Sequence, residues 1–169
     1  MGALGLKTDE IIDKYADMVY RIAVNETGSR EDAQDIFQEV FLRLVCYRDR
    51  IENEEHLKAW LIRVTINCAK KQKRSFWNRK VSSVEESEKE QSDQKAANAY
   101  ETIENADSPV SRAVRELPEK YRSVVYLFYY EELSIAQIGK LLGEKESTVK
   151  SRLYRARETL KIRLKGEEP

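Results

Sequence analysis

Apolar residues recur at steps of three and four along most of this chain, and the breaks in that rhythm divide it into helices. Ile11, Tyr15, Met18 and Ile22 form one stripe, with Ile12, Val19 and Ala23 beside it. Thr8 stands at its head as a cap, Asp9 and Glu10 follow where the helix dipole favours anions, and Gly28 marks the end. Ser29 then opens a second helix, with Asp32 three residues on and Ala33, Ile36, Phe37, Val40 and Leu44 as its apolar face. Its polar edge is Asp32, Asp35, Gln38, Glu39 and Arg43, which by itself reads as solvated surface. The rhythm fails from Tyr47 to Glu55, a polar loop, and resumes from about His56 with Leu57, Trp60, Leu61, Val64 and Cys68 inward.

Residues 81–107 carry no periodic pattern, few large apolar groups and an excess of acid, the marks of a tether. Ser108 and Pro109 restart structure as N-cap and first helical residue, and Val110, Ala113, Val114 and Leu117 point inward until Pro118 interrupts. A helix from Glu119 carries Tyr121, Val124, Val125 and Phe128. Ser134 and Gln137 then form a capping box before Ile135, Ile138, Leu141 and Leu142, and Gly143 stands where that helix must turn left-handed. The last helix buries Val149, Leu153, Ala156, Leu160 and Leu164, leaving Lys150, Ser151, Arg152, Tyr154, Arg155 and Arg157 off that face. Two short helices about a glycine turn, the second one basic, make a helix-turn-helix whose second helix is shaped for a major groove. The predicted fold is therefore all-α: a lobe of three or four helices over 1–80, a linker over 81–107, and a four-helix lobe over 108–169.

Six glycines and three prolines in 169 residues agree with helices rather than a turn-rich β protein. No apolar run approaches a membrane span, and the first residues lack a basic start with an apolar core, which places the chain in the cytoplasm. Cys46 and Cys68 each fall within an apolar helical pattern, as reduced packed thiols would. His56 is the sole histidine, too few for a metal site or an imidazole-based enzyme, and no glycine loop stands ready to cradle phosphate.

Charge changes the picture more than composition does. The formal net charge is zero, from 30 basic and 30 acidic residues, but the sign is segregated. Residues 1–80 carry 15 basic and 13 acidic groups, 81–110 carry 2 and 8, and 111–169 carry 13 and 9, which sum to 30 and 30. From His56 to Lys80 there are eight cations and no acid: Lys58, Arg63, Lys70, Lys71, Lys73, Arg74, Arg79 and Lys80, interleaved with Asn67 and followed by Phe76 and Trp77. Aromatics in a basic groove suit unpaired bases better than duplex, so a near-neutral chain still offers two nucleic-acid surfaces of different kinds.

Three stretches together resemble the extracytoplasmic-function sigma factors, the smallest sigma factors of bacterial RNA polymerase. Asp32-Ala33-Gln34-Asp35-Ile36-Phe37-Gln38-Glu39-Val40-Phe41-Leu42-Arg43-Leu44 is similar to the family's core-polymerase-binding helix. Leu57-Lys58-Ala59-Trp60-Leu61-Ile62-Arg63-Val64-Thr65-Ile66-Asn67-Cys68-Ala69-Lys70 resembles its promoter-melting helix. Leu117-Pro118-Glu119-Lys120-Tyr121-Arg122, followed by Thr148-Val149-Lys150-Ser151-Arg152-Leu153-Tyr154-Arg155-Ala156-Arg157, resembles its second DNA-binding domain.

The resemblance implies a division of labour. Asp32, Asp35, Gln38, Glu39 and Arg43 would meet the coiled coil of the polymerase clamp. Arg48 with the loop to Glu55, together with Arg63, Asn67, Lys70, Lys71, Lys73 and Arg74, would hold the −10 element as melted single strand around a flipped base. Ser147, Thr148, Lys150, Ser151, Arg152, Tyr154 and Arg155 would read the −35 element as duplex. It implies no catalysis and no cofactor, and it adds an anti-sigma factor to core polymerase and promoter DNA as a partner. Three positions depart from the pattern: Gly139 where alanine is usual, Glu144 at an apolar turn position, and Lys145 in place of a capping serine. A stand-alone helix-turn-helix regulator would explain Ser134–Leu164 but leave Asp32–Leu44 and the basic third helix without a role.

Overall fold

The computed structural model describes residues 5–81 and 109–166, with only the backbone given for 76–81 and 111. The chain divides into two compact units, Met1–Ala99 and Tyr100–Pro169. The break between them, the expected linker 81–107 apart from Val81, and the Ser108 cap lie outside the described residues.

Among the described residues, the first unit is three α-helices packed pairwise: α1 (Thr8–Thr27), α2 (Arg30–Tyr47) and α3 (Glu54–Val81). Gly28 ends α1 at φ 69°, a left-handed angle that glycine adopts at little cost, and its N–H donates to the Val24 carbonyl at 2.8 Å. Ser29 caps α2 by accepting from the Asp32 N–H at 3.3 Å. Ile11, Val19, Ile22, Leu44, Leu57, Leu61, Ile62 and Ile66 fill the core, each essentially without solvent contact. Truncating any one of these leucines or isoleucines to alanine should cost about 2–5 kcal/mol.

Some expectations fail here for identifiable reasons. Thr8 is not the cap of α1; Lys7 occupies that position, and the Thr8 hydroxyl accepts instead from Arg48 at 2.6 Å. Phe37 is only half-buried, whereas Phe41 is buried against it with ring centroids 4.7 Å apart. The polar loop hides an anchor: Ile51 is buried, so a helical turn at Arg48–Arg50 is pinned rather than free. The third helix starts at Glu54, two residues before the expected point, because Asn53 caps it by accepting from the His56 N–H at 2.7 Å. His56 returns the bond, its Nδ1 accepting from the Glu52 N–H at 3.3 Å, which gives the sole histidine a structural role.

The cysteines separate. Cys46 is exposed, against expectation, while Cys68 is buried and its thiol is pushed above the usual value chiefly by that burial, against the pull of Arg43. Alkylation with iodoacetamide near pH 8 is expected to modify Cys46 first and Cys68 only on unfolding, read by mass spectrometry. Equal rates in the folded protein would contradict the packing.

The second unit is built around the last helix. α4 (Pro109–Arg115), α5 (Glu119–Val125) and α6 (Ile135–Leu142) all pack on α7 (Glu146–Lys165). Between α5 and α6 the chain makes one wide turn at Tyr126–Tyr130, where Glu131 N–H bonds the Tyr126 carbonyl at 3.3 Å, five residues back. The extra residue shifts the register. Tyr126 and Leu127 are therefore buried, while Phe128 and Tyr121 are half-buried. Val110, expected inward, is exposed. Leu160 and Leu164 are only partly covered.

The helix-turn-helix forms as expected. Ser134 and Gln137 exchange their bonds at 3.1 and 2.9 Å, and Gly143 turns at φ 67°. Gly139 has a reason the sequence did not reveal: a methyl group there would lie 2.8 Å from the Glu144 backbone carbonyl oxygen, where the turn folds back onto α6. Gly139→Ala should therefore destabilise this unit by about 1–3 kcal/mol from overpacking, exceeding the gain of up to about 1 kcal/mol in helix propensity. Thermal denaturation checks the sign, since a rise in melting temperature would mean the turn yields freely.

Candidate polymerase and nucleic-acid interfaces

α2 buries Ala33, Ile36, Val40 and Leu44 on one side and presents Asp35, Gln38 and Glu39 on the other. Leu42 and Val45 continue that outer side, 65% and 61% exposed. Folding alone gives no reason for two large apolar groups to stand in water beside acids and an amide. Sequence reasoning passed over both because they sit within an apolar run. Asp32 and Arg43, by contrast, turn toward α3: Asp32 accepts from Gln72 at 3.3 Å, and Arg43 donates to Glu39 at 2.9 Å. Arg43, Glu39 and Asp35 form one wall of a groove of about 350 Å³ between α2 and α3, with Cys68, Lys71 and Gln72 opposite.

On α3, Arg63, Asn67, Lys70, Lys71 and Arg74 are all exposed. Their spacing of four, three, one and three places them in a single stripe about 16 Å long, with no acid between them. Lys73 falls outside it, half-buried and already engaged with a neighbouring group. The side chains of Phe76, Trp77, Arg79 and Lys80 lie outside the described residues. At the head of the helix, Tyr47 stacks on Trp60 at 5.2 Å and 7°, and Arg50 lies over the Tyr47 ring at 5.6 Å. Arg48, expected on DNA, is half-buried and tied to Thr8, so it holds this corner together. The corner is thus built before any ligand arrives, which lowers the ordering cost of binding.

On α7, Ser147, Ser151, Tyr154 and Arg155 lie opposite the buried Val149, Leu153 and Ala156, with Lys150 flanking them and Tyr154 64% exposed. Arg152 departs from expectation. It donates to Glu144 at 3.2 Å, so the unusual acid of the turn is neutralised across the helix-turn-helix. Arg157 is also committed, donating to the Tyr129 hydroxyl at 2.7 Å and lying 5.6 and 5.7 Å from the Phe128 and Tyr129 rings. The N-terminal end of α5 closes one flank. Lys120 and Tyr121 face Thr148, Ser151, Arg152 and Arg155 across a cleft of about 260 Å³.

One lobe with an acid-and-apolar helix beside a basic stripe, and a second built on a helix-turn-helix, is a pairing found in known proteins. Residues 11–79 match the family described as Sigma-70 region 2, and residues 108–160 match Sigma-70 region 4. The chain is 30% identical over 165 residues to the ECF RNA polymerase sigma factor SigW of Bacillus subtilis, covering 92% of this chain and 88% of that protein. It is 33% identical over 160 residues to the ECF RNA polymerase sigma factor SigL of Mycobacterium tuberculosis, covering 91% and 86%. The chain belongs to the ECF sigma factors.

Two solved structures share the fold. The sigma factor RpoE, in complex with the anti-sigma factor NepR from Bartonella quintana, superposes with a TM-score of 0.69 at 18% identity, over 95% of this chain and 98% of that one. CnrH, in complex with the cytosolic domain of CnrY, gives 0.63 at 16% identity, over 95% and 89%. This ECF sigma factor therefore carries the two regions through which sigma factors bind core polymerase and recognise promoters. No helix among the described residues is long and apolar enough to cross a membrane.

Proposed function

We propose that this ECF sigma factor divides its work at the linker, with 1–80 binding core polymerase and the melted −10 element and 108–169 reading the −35 duplex. The outer face of α2 meets the polymerase through Asp35, Gln38, Leu42 and Val45, while Glu39 and Arg43 hold one another along the adjoining groove. The observation that carries the −10 assignment is the acid-free stripe Arg63–Asn67–Lys70–Lys71–Arg74. Its cations suit a single-stranded backbone, and Asn67 offers both a donor and an acceptor to the pairing edge of an extruded base. The stripe binds the strand only after the bases have unpaired, so its binding energy favours the open form over the duplex. The protein makes no bond itself; it positions polymerase and biases DNA opening. It works in the cytoplasm, and an anti-sigma factor, of the kind that RpoE binds in its complex with NepR, holds it inactive.

The test is association with bacterial core polymerase followed by run-off transcription from a promoter library. Transcription from a narrow promoter set supports the reading, and specific duplex binding without core association overturns it. Within that assay, Asn67→Ala is expected to lower open-complex formation on duplex promoter by about tenfold or more. On a promoter already mismatched at the −10 bases the loss should be smaller for Asn67→Ala if unpairing dominates. An equal loss on both templates would assign Asn67 to capture alone.

A further inference from the structure

The cleft between α5 and α7 shares Ser147, Thr148, Ser151, Arg152 and Arg155 with the expected −35 surface, but its other two lining residues, Lys120 and Tyr121, have been given no role. Tyr121, half-buried, lines the cleft, its ring 5.1 Å from the Lys120 ammonium. Its phenol is drawn below the ordinary value, first by Arg155 and further by Lys120. Every side chain lining the cleft is a cation, a hydroxyl or a phenol. Glu144 of the turn is taken up by Arg152, whose guanidinium lines the cleft. Three cations and four hydroxyl-bearing side chains around about 260 Å³ form a surface for a doubly or singly charged anion, not for an apolar or cationic ligand.

We propose that Lys120 and Tyr121, outside the recognition helix, together with Arg155 clamp one backbone phosphate of the promoter duplex and set the depth at which α7 enters the groove. This rests on α7 reading duplex DNA. A phosphate held by both α5 and α7 couples the two helices, whereas base contacts from α7 alone would leave its tilt unspecified. Arg155 then serves the clamp as its bridge, facing Lys120 and Tyr121 across the cleft, rather than as a free base reader. The Lys120 contact carries no sequence information, so it should strengthen binding to every sequence alike.

The experiment uses holoenzyme made from the full chain and core polymerase, on a promoter recovered from the run-off library. Each phosphate around the −35 element is replaced in turn by neutral methylphosphonate, and affinity is measured against salt. One position should cost the parent about tenfold and cost the Lys120→Gln holoenzyme almost nothing. Lys120→Gln should also lower the salt slope by about one, with the −35 base preference unchanged. Tyr121→Phe, which keeps the ring and removes only the hydroxyl, should give a smaller loss at unchanged melting temperature. The clamp is wrong if Lys120→Gln binds as the parent does, if its loss adds to that of every neutral phosphate, or if base preference changes. Stabilisation of the parent by inorganic phosphate without any methylphosphonate effect would likewise replace it with a free-anion site. Arg155→Ala separates the two readings: if it weakens binding while Lys120→Gln does not, only the clamp falls; if base substitutions at −35 leave the parent indifferent, the role of α7 falls too.

Discussion

Leu42→Asp is expected to fold like the parent and to lose core-polymerase affinity by about two orders of magnitude, or roughly 3 kcal/mol. Leu42 is 65% exposed and lies almost opposite the buried Ala33, Ile36, Val40 and Leu44, so the substitution removes no core contact. At the centre of an interface the same change forfeits apolar burial and forces a carboxylate into a desolvated site beside Asp35, Gln38 and Glu39. Gln38→Ala should act in the same direction by about tenfold, because it deletes two donors and an acceptor without adding charge. Asp35→Ala should behave similarly. Binding of DNA by the second unit is untouched in all three. Native-gel or fluorescence titration with core polymerase, beside a thermal melt, checks this directly. Undiminished affinity in Leu42→Asp would remove α2 from the interface; a lowered melting temperature would mean that Leu42 is packed after all.

The second large effect belongs to α7. Lys150→Ala and Arg155→Ala should each weaken −35 recognition by about tenfold to a hundredfold while core binding stays at the parental level. Both side chains are exposed, on the side of the helix away from Val149, Leu153 and Ala156. Removing Lys150, which has no intramolecular pair described, subtracts one cation from the duplex contact, so the salt slope should fall by about one. Arg155→Ala removes more, since the cleft that it shares with Lys120 and Tyr121 loses a cation as well. Arg152→Ala should instead act on stability, because it leaves Glu144 without its ion pair, though at 24% and 36% side-chain exposure that pair contributes modestly. A variant of Arg152 that loses −35 binding as severely as Arg155→Ala, with an unchanged melt, would return Arg152 to the DNA contacts.

Much of this was legible from periodicity and punctuation. Gly28, Ser29, Ser134 and Gly143 stand where the structure ends and starts helices, since backbone donors at a helix start and the left-handed angle at its end admit few residue types. The stripe on α3 could be read from spacing alone, because a straight helix fixes the angles between its residues. The failures share a cause. Phe41 for Phe37 and the exposure of Val110 each depend on which neighbour arrives at a given angle. Periodicity names a face but does not centre it.

By itself, then, the sequence determined the helices, the caps at Gly28, Ser29, Ser134 and Gly143, the all-α class and the segregation of charge, because these follow from interactions a few residues apart. The tertiary structure decided what those elements do with their side chains. It spent Arg48, Arg152 and Arg157 on Thr8, Glu144 and Tyr129, far apart in sequence or across a turn. It left Leu42 and Val45 in water and put Lys120 and Tyr121 beside Arg155. A cation's composition is the same whether it is paired or open to a ligand; only the packing of one helix against another settles which, since an ion pair exists at 3 Å and vanishes into solvent beyond about 10 Å.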